Sequence, residues 1–153
     1  MNFEASRAKA IDKLNNFVEK NLSDYSKLRN FDFGPDKRGN VSCLSPYVTH
    51  GIINEIEIIK KSLARFSFSK NEKFIQEVLW RTYWKGWLEL RPNVWIDYLV
   101  SLKNIREKFR DNKEYLNAMK GNTNIECFNE WVKELKENNY LHNHTRMWFA
   151  SIW

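Results

Sequence analysis

The sequence has little of what metal-binding and disulfide-stabilised proteins use. It contains two cysteines, Cys43 and Cys127, which lie far apart and form no CxxC pattern. The three histidines, His50, His142 and His144, lack ligand spacing with any cysteine or carboxylate. This pattern predicts no metal site and favours a reduced intracellular compartment, for which we expect a cytoplasmic location.

Long apolar runs and alternating strand patterns are also missing. No apolar run approaches the roughly 18 residues of a membrane span, and the charged, amphipathic N-terminus differs from a signal peptide. No internal repeat or low-complexity segment is present. The 153 residues therefore predict one domain, of all-α class, without a membrane partner.

Apolar residues recur every three to four positions along most of the chain, which is the helical period. Asn54 with Glu57 predicts a helix N-terminus, and Ser69 with Glu72 predicts another by the same capping-box pattern. A loop is expected over 23–43. The predicted helices span about 4–21, from Ser45-Pro46 onward, 54–65, 69–90, 96–110, 113–119, 126–136 and from His142 onward.

The helix predicted to end at Leu90 is apolar almost all round, which favours a position at the centre of the fold. Glu77, Trp80, Arg81 and Trp84 share one face of it. Charged groups among indoles on such a helix are costly unless they are satisfied. Two interpretations stay open here: a ligand-facing cluster, or a Glu77–Arg81 pair beside two core tryptophans.

Aromatic residues make up 15% of the chain, and all seven tryptophans lie between Trp80 and Trp153. They indicate either a stiff aromatic core or a flat-ring ligand. The net charge is +6, and the stretch Lys60–Arg91 carries eight Lys or Arg against three Glu. Basic residues among aromatics suit a nucleic acid, although an ordinary solvated face has the same composition.

Two segments suit a ligand by their local chemistry. Ser42 to Tyr47 places two hydroxyls at a helix start with Ser45 at the N-cap, where the positive helix dipole favours a phosphate. In the last segment, Asn143, Arg146 and Met147 share a helix face, which suits a heteroaromatic ligand. The alternative for that segment is a capped helix start with Asn143 at the N-cap.

Taken together, these segments resemble the photolyase/cryptochrome family in order and spacing. Ser42–Val48 resembles the family's T-S-x-L-S-P-Y-L phosphate-binding motif, and Phe74–Arg81 is similar to its W-x-x-E-L-x-W-R-E helix. Gly121–Ile125 and Tyr140–Ser151 resemble its G-x-T-G and G-W-x-H-N-R-x-R-M-x-x-A-S-F blocks. The resemblance covers nearly the whole chain and implies the helical FAD-binding domain of that family.

The resemblance also implies roles for individual residues. Those expected to bind FAD are Tyr25, Ser42, Cys43, Leu44 and Ser45 at the phosphates, Phe74 and Arg81 in the pocket, and Tyr140, Asn143 and Arg146 beside the flavin. Those expected to contact a flipped pyrimidine dimer are Glu77, Trp80, Asn143 and Met147. The implied activity is light-driven repair of cyclobutane pyrimidine dimers, a carbon–carbon lyase reaction on UV-damaged DNA, with Lys60–Arg91 as the DNA-binding stretch.

The chain also departs from the family pattern. Val41, Thr82, Asn124 and Asn129 stand where the motifs have threonine, glutamate, glycine and aspartate. The family has an α/β antenna domain before this region and continues past Trp153 with aspartates around the flavin. Residues 1–153 are therefore expected to be a partial flavin domain that is inactive alone and that a second polypeptide could complete. The alternatives are a cryptochrome-like photoreceptor and a non-functional truncated product.

Overall fold

The computed structural model describes residues 3–153 and shows helices joined by turns, with no β-strand in that range. The predicted all-α class is therefore confirmed. The chain divides into two compact units, the first ending at Gly86 and the second beginning at Trp87. Among the described residues, no helix is both long and apolar enough to cross a membrane.

Among the described residues, five helices begin in the first unit, and four of them correspond to predicted elements. The predicted loop over 23–43 contains one helical turn of its own, α2, and the 3-10 turn Arg38–Asn40, while a second 3-10 turn, Leu22–Asp24, overlaps its start. The helices are α1 (Arg7–Lys20), α2 (Tyr25–Leu28), α3 (Ser45–Thr49), α4 (Glu55–Arg65) and α5 (Phe68–Glu89), and the last of these continues into the second unit.

The core of the first unit lies on one face of α1 and is closed by residues from each following segment. Leu14, Phe17 and Val18 recur at helical spacing and are almost fully buried. Ile58 of α4 and Phe74 of α5 pack into the same cluster. The buried cluster comprises Ala10, Leu14, Phe17, Val18, Leu22, Tyr25, Leu44, Tyr47, Ile53, Ile58 and Phe74.

The start of α4 confirms the predicted capping box. The Asn54 side chain accepts from the Glu57 N–H at 2.9 Å, and the Glu57 carboxylate accepts from the Asn54 N–H at 3.0 Å. Arg7 of α1 forms an ion pair with the same carboxylate and donates to the Ile52 carbonyl at 2.8 Å. This hydrogen bonding lowers the pKa of Glu57, with Arg7 as the largest cause.

The predicted capping box at Ser69–Glu72 is wrong. The Ser67 carbonyl accepts from the N–H groups of Lys70 and Asn71, so the first turn of α5 begins before Ser69. The buried Asn71 amide instead crosses the turn, donating to the Ser62 carbonyl at 2.9 Å and to the Phe66 carbonyl at 2.8 Å. A single side chain thus satisfies carbonyl groups at the end of α4.

The second unit contains the end of α5 and four further helices, close to their predicted bounds: α6 (Asn93–Lys108), α7 (Lys113–Lys120), α8 (Glu126–Asn138) and α9 (Asn143–Ile152). Gly121 ends α7 with φ +75°, and the Asn122 N–H donates a hydrogen bond to the Asn117 carbonyl at 2.9 Å. A Cβ on Gly121 would lie 2.9 Å from the Cβ of Val132, so the absence of a side chain lets α7 approach α8.

The expectation that the helix ending near Leu90 is buried is wrong for the second half of α5. Its buried residues are confined to Asn71, Phe74 and Ile75. Trp80, Tyr83 and Trp84 are each about half exposed, and α6 has no buried residue. None of the seven tryptophans is buried, so the aromatic-core interpretation is wrong for them, although Phe17, Tyr25, Tyr47 and Phe74 do belong to the core. Apolar composition sets what a helix could bury, whereas burial itself depends on what packs against it.

Candidate functional site

The segment that precedes Ser42 is held by polar side chains of the first unit. Asp32 Oδ1 accepts from the Gly34 N–H at 3.0 Å and from Arg38 Nη2 at 2.8 Å, and the Asp32–Arg38 ion pair is almost fully buried. The buried Asn40 amide donates to the carbonyls of Leu28 and Phe31 at 2.8 and 2.7 Å. These bonds replace the regular helical ladder and fix the path of the chain into Ser42.

The backbone adopts a left-handed conformation at Cys43. This buried residue has φ 50°, in the left-handed region that non-glycine residues rarely occupy, and Leu44 follows in the right-handed region at φ −90°, ψ −10°. Such alternation turns successive N–H groups toward one side and forms an anion-binding concavity. The first N–H groups of α3, which begins at Ser45, also lack partners within the helix.

The predicted N-cap at Ser45 is wrong by one position. Leu44 occupies the N-cap without a side-chain cap, Ser45 is the first helical residue, and Pro46 is the second. The Ser45 carbonyl accepts from the Thr49 hydroxyl at 2.7 Å. Because the Ser45 hydroxyl does not cap its own helix, it is not committed to that structural role.

A cavity of about 160 Å³ in the first unit brings together six of the predicted FAD-binding and dimer-contacting residues. Hydroxyl, carboxylate and guanidinium groups lie in it beside an aliphatic wall. The predicted residues that line it are Ser42, Leu44, Ser45, Phe74, Glu77 and Arg81, and the remaining lining residues are Val48, Glu55, Ile58 and Val78.

Tyr25 supports this cavity from behind. Its ring packs edge-on against Phe74 at 5.2 Å and against Phe17 at 6.0 Å between centroids. Burial, and secondly the negative charge of Glu77, raise the pKa of Tyr25 to about 12. The phenol is therefore neutral at physiological pH.

Glu77 and Arg81 do not pair with each other, so the i, i+4 interpretation is wrong. Arg29, which lies four residues after Tyr25, donates to Glu77 Oε1. Arg81 donates from Nη2 to the Thr49 hydroxyl at 2.8 Å, and its Nε lies 3.8 Å from Glu55 Oε1. Burial opposes the charge of Arg29, but the hydrogen bond to Glu77 and its negative charge outweigh that effect and raise the pKa of Arg29.

Trp80 is not among the residues that line the cavity. It stacks on Trp84 at 6.4 Å between ring centroids, with 25° between the planes, and Tyr83 meets both indoles edge-on at 5.4 Å. All three rings are half exposed. They form an outward aromatic surface on α5, which we call the α5 aromatic face.

The remaining predicted residues lie in the second unit around the start of α9. The Arg146 guanidinium lies over the buried Tyr140 ring at 5.3 Å from its centroid, and Arg146 Nε donates to the Leu141 carbonyl at 3.0 Å. Asn143 and Met147 are exposed on α9. The alternative N-cap at Asn143 is wrong, because His142 occupies that position and its Nδ1 accepts from the His144 N–H at 3.2 Å.

Sequence reasoning from the motifs missed Arg29, Thr49 and Glu55 as partners of the candidate site. Arg29 had a local signal, since it lies four residues after Tyr25 and therefore one helical turn away. Thr49 and Glu55 had none that was specific to the site. Their contacts with Arg81 form only when α3, α4 and α5 are packed together.

The cavity in the first unit fits the phosphate end of a dinucleotide cofactor. The left-handed Cys43, the start of α3 and the Arg81 guanidinium all favour an anion. Glu55 and Glu77 would oppose one, but each lies beside an arginine. Ligand pockets usually measure about 300–1,000 Å³, so a cavity of about 160 Å³ has room for only part of such a cofactor.

The chain matches no protein-family profile. It is 23% identical over 159 residues to a deoxyribodipyrimidine photo-lyase of Vibrio cholerae, covering 98% of this chain and 31% of that protein. It is 28% identical over 146 residues to the same-named protein of Buchnera aphidicola from Baizongia pistaciae, covering 92% of this chain and 30% of that protein.

The fold is similar to that of a solved bacterial class III photolyase from Agrobacterium tumefaciens. The TM-score is 0.75 at 24% identity, over 96% of this chain and 30% of that one. The resemblance predicted from the sequence motifs is therefore confirmed in sequence and in fold. The chain spans about a third of the length of the photolyases it matches.

Proposed function

We propose that this chain, which is similar to photolyases over nearly its whole length, forms the part of a photolyase-like flavoprotein that binds the FAD phosphates and contacts UV-damaged DNA. The observation that carries the proposal is the cavity of the first unit. Ser42, Ser45, Phe74, Glu77 and Arg81 come from two separate sequence segments and line one cavity.

The residues that line this cavity, with Arg29 beside it, perform three tasks. The Ser42 and Ser45 hydroxyls, with the backbone at Cys43, hold the phosphates, and Phe74 excludes water from one wall. Arg29 donates to the Glu77 carboxylate and holds it in place, where it accepts hydrogen bonds from donor groups of a base edge. When bound, reduced FAD supplies the electron for light-driven splitting of a cyclobutane dimer.

The proposed DNA contact is the basic stretch Lys60–Arg91. Lys60, Lys61, Lys70, Lys73 and Lys85 are all exposed, so their charges are available to phosphate groups. The α5 aromatic face lies within the same stretch and offers two indoles and a phenol to unstacked bases.

For the second unit, we propose that Tyr140, Asn143 and Arg146 bind beside the flavin ring and that Met147 packs on the dimer. Arg146 is oriented by the Tyr140 ring and the Leu141 carbonyl. Asn143 at the start of α9 offers an amide that both donates and accepts. An amide, a cation and a thioether on one short helix suit a ring with polar edges.

The phosphate task can be tested on the chain as it stands by titrating it with FAD and with riboflavin, which lacks phosphates. We expect weak binding of FAD, lost on gel filtration, because the cavity of the first unit is small. FAD should still bind about tenfold more tightly than riboflavin, and Ser45→Ala should remove most of that difference. Ser69→Ala, at an exposed serine of α5 outside the cavity, is the matched control.

The repair task needs a chain completed by the remaining part of a photolyase, supplied as a fusion. There Glu77→Ala should lower light-dependent dimer splitting by about one to two orders of magnitude while flavin occupancy stays near normal. Glu72→Ala, on the same helix and outside the cavity, should change neither quantity. Equal binding of FAD and riboflavin would contradict the phosphate task. Flavin retention without any dimer splitting would favour the cryptochrome-like photoreceptor instead.

A further inference from the structure

The second unit contains a larger cavity, and Thr123 and Ile125 are the photolyase-like motif residues among those that line it. It measures about 700 Å³, within the range of about 300–1,000 Å³ that is usual for small-molecule sites. It is lined by the end of α6, one face of α7, the start of α8 and the end of α9.

Aromatic rings dominate the walls of this cavity. Phe128 and Trp153 line it with 12° between their planes, and Phe149 behind them is parallel to both within 9°. Tyr115 lies 5.6 Å from Trp153 and 5.7 Å from Phe109, between ring centroids. Phe128 is buried within this set, whereas Trp153 is 55% exposed, so a flat ligand could continue the stack at the Trp153 ring.

The polar groups of the cavity restrict the ligand further. The Asn112 Oδ1 is already used to cap α7 at the Tyr115 N–H, and the Thr123 hydroxyl donates to Asn129. Among the described residues that line the cavity, Glu114 is the only charged one. An ionised carboxylate only accepts hydrogen bonds, so it favours a ligand with amino donors.

We propose that this cavity binds a planar heterocycle that carries an amino group, of the chemical class of the purine bases. The heterocycle stacks on Trp153 and packs against Tyr115, and Glu114 accepts from the amino group. The site is separate from the FAD-binding function proposed above, because its residues all belong to the second unit and none carries a photolyase-like role.

Equilibrium dialysis of the full chain with adenosine tests the proposal, with inosine, which lacks the amino group, as the comparator. We expect one saturable adenosine site and about tenfold weaker binding of inosine. Tyr115→Leu and Glu114→Gln should each weaken adenosine binding about tenfold, with helix content unchanged by circular dichroism. Glu126→Gln, at an exposed acid in the first turn of α8 outside the cavity, should have no effect.

Three results would overturn the proposal: no saturable adenosine binding, equal binding of inosine, or unchanged binding in Glu114→Gln. Ser45→Ala separates the two cavities, because it should leave adenosine binding unchanged. Adenosine binding that Ser45→Ala reduced would belong to the first unit and would also refute the proposed site. Because FAD itself contains an adenosine, FAD binding that persists in Ser45→Ala and that adenosine displaces belongs to this second cavity and does not count for the phosphate task.

Discussion

The Asn71 side chain gives the sharpest test of how the turn between α4 and α5 is held. Asn71 is 1% exposed, and its amide donates to two backbone carbonyls, those of Ser62 and Phe66. A hydrogen bond contributes about 1 kcal/mol net, so removing two should cost about 2 kcal/mol. Alanine is the better helix former by about 0.5 kcal/mol, so Asn71→Ala should lower the free energy of unfolding by about 1.5 kcal/mol.

Asn16→Ala on α1 is the matched control, since Asn16 is an exposed asparagine within a helix. It gains the same helix propensity and loses no comparable bond, so the two variants should differ by about 2 kcal/mol in urea unfolding followed by circular dichroism. In Asn71→Asp, the ionised carboxylate has no donor for the two carbonyls. That variant should be the least stable at neutral pH and should partly recover as the pH falls. If Asn71→Ala unfolds like Asn16→Ala, the amide does not hold the turn.

Three further perturbations follow from the structure. The pKa of Glu57 is lowered in the folded state. Its contribution to stability is therefore present above the ordinary pKa of 4.5 and is lost as the pH falls through the folded pKa. The difference in Tm between wild type and Glu57→Gln should vanish in acid. The pKa of Tyr25 is raised from 10.0 to about 12, so stability should fall by about 3 kcal/mol as the pH rises through that interval, and urea titrations of Tyr25→Phe should lack this component. Gly121→Ala should destabilise the protein by about 1–3 kcal/mol, because Gly121 has a positive φ and the Val132 side chain is close. In Gly86→Ala the added Cβ meets no atom within 4 Å, so this variant should stabilise the protein by up to about 1 kcal/mol in thermal melts. Equal effects of the two glycine variants would contradict the close approach of α7 to α8.

Features that depend on neighbouring residues in sequence could be predicted. The Asn54–Glu57 capping box is complete within four residues, and it forms as its spacing predicts. The same pattern at Ser69–Glu72 fails because the Ser67 carbonyl is already the acceptor for the first turn. Local pattern identifies a possible cap, but the path of the preceding chain decides whether the backbone uses it.

In the candidate site, too, local sequence patterns could be predicted and contacts between distant residues could not. The motif around Ser42 and Ser45 could be found from sequence, and both residues line one cavity. The left-handed backbone at Cys43 could not, because glycine is the residue that normally signals it. The Arg29–Glu77 pair joins residues 48 positions apart, so no local spacing predicts it. The exposure of Trp80 depends on which other helices are present and not on the pattern within α5.

The lack of buried residues in α6 has a consequence for hydrogen exchange. An isolated helix of about 12–15 residues is only marginally stable in water, and packing normally supplies the rest of its stability. The 16-residue α6 has no buried side chain, so local opening there costs little free energy. Its amides should therefore exchange with solvent deuterium early, whereas those of α1, around Leu14 and Phe17, should exchange only when the first unit unfolds as a whole.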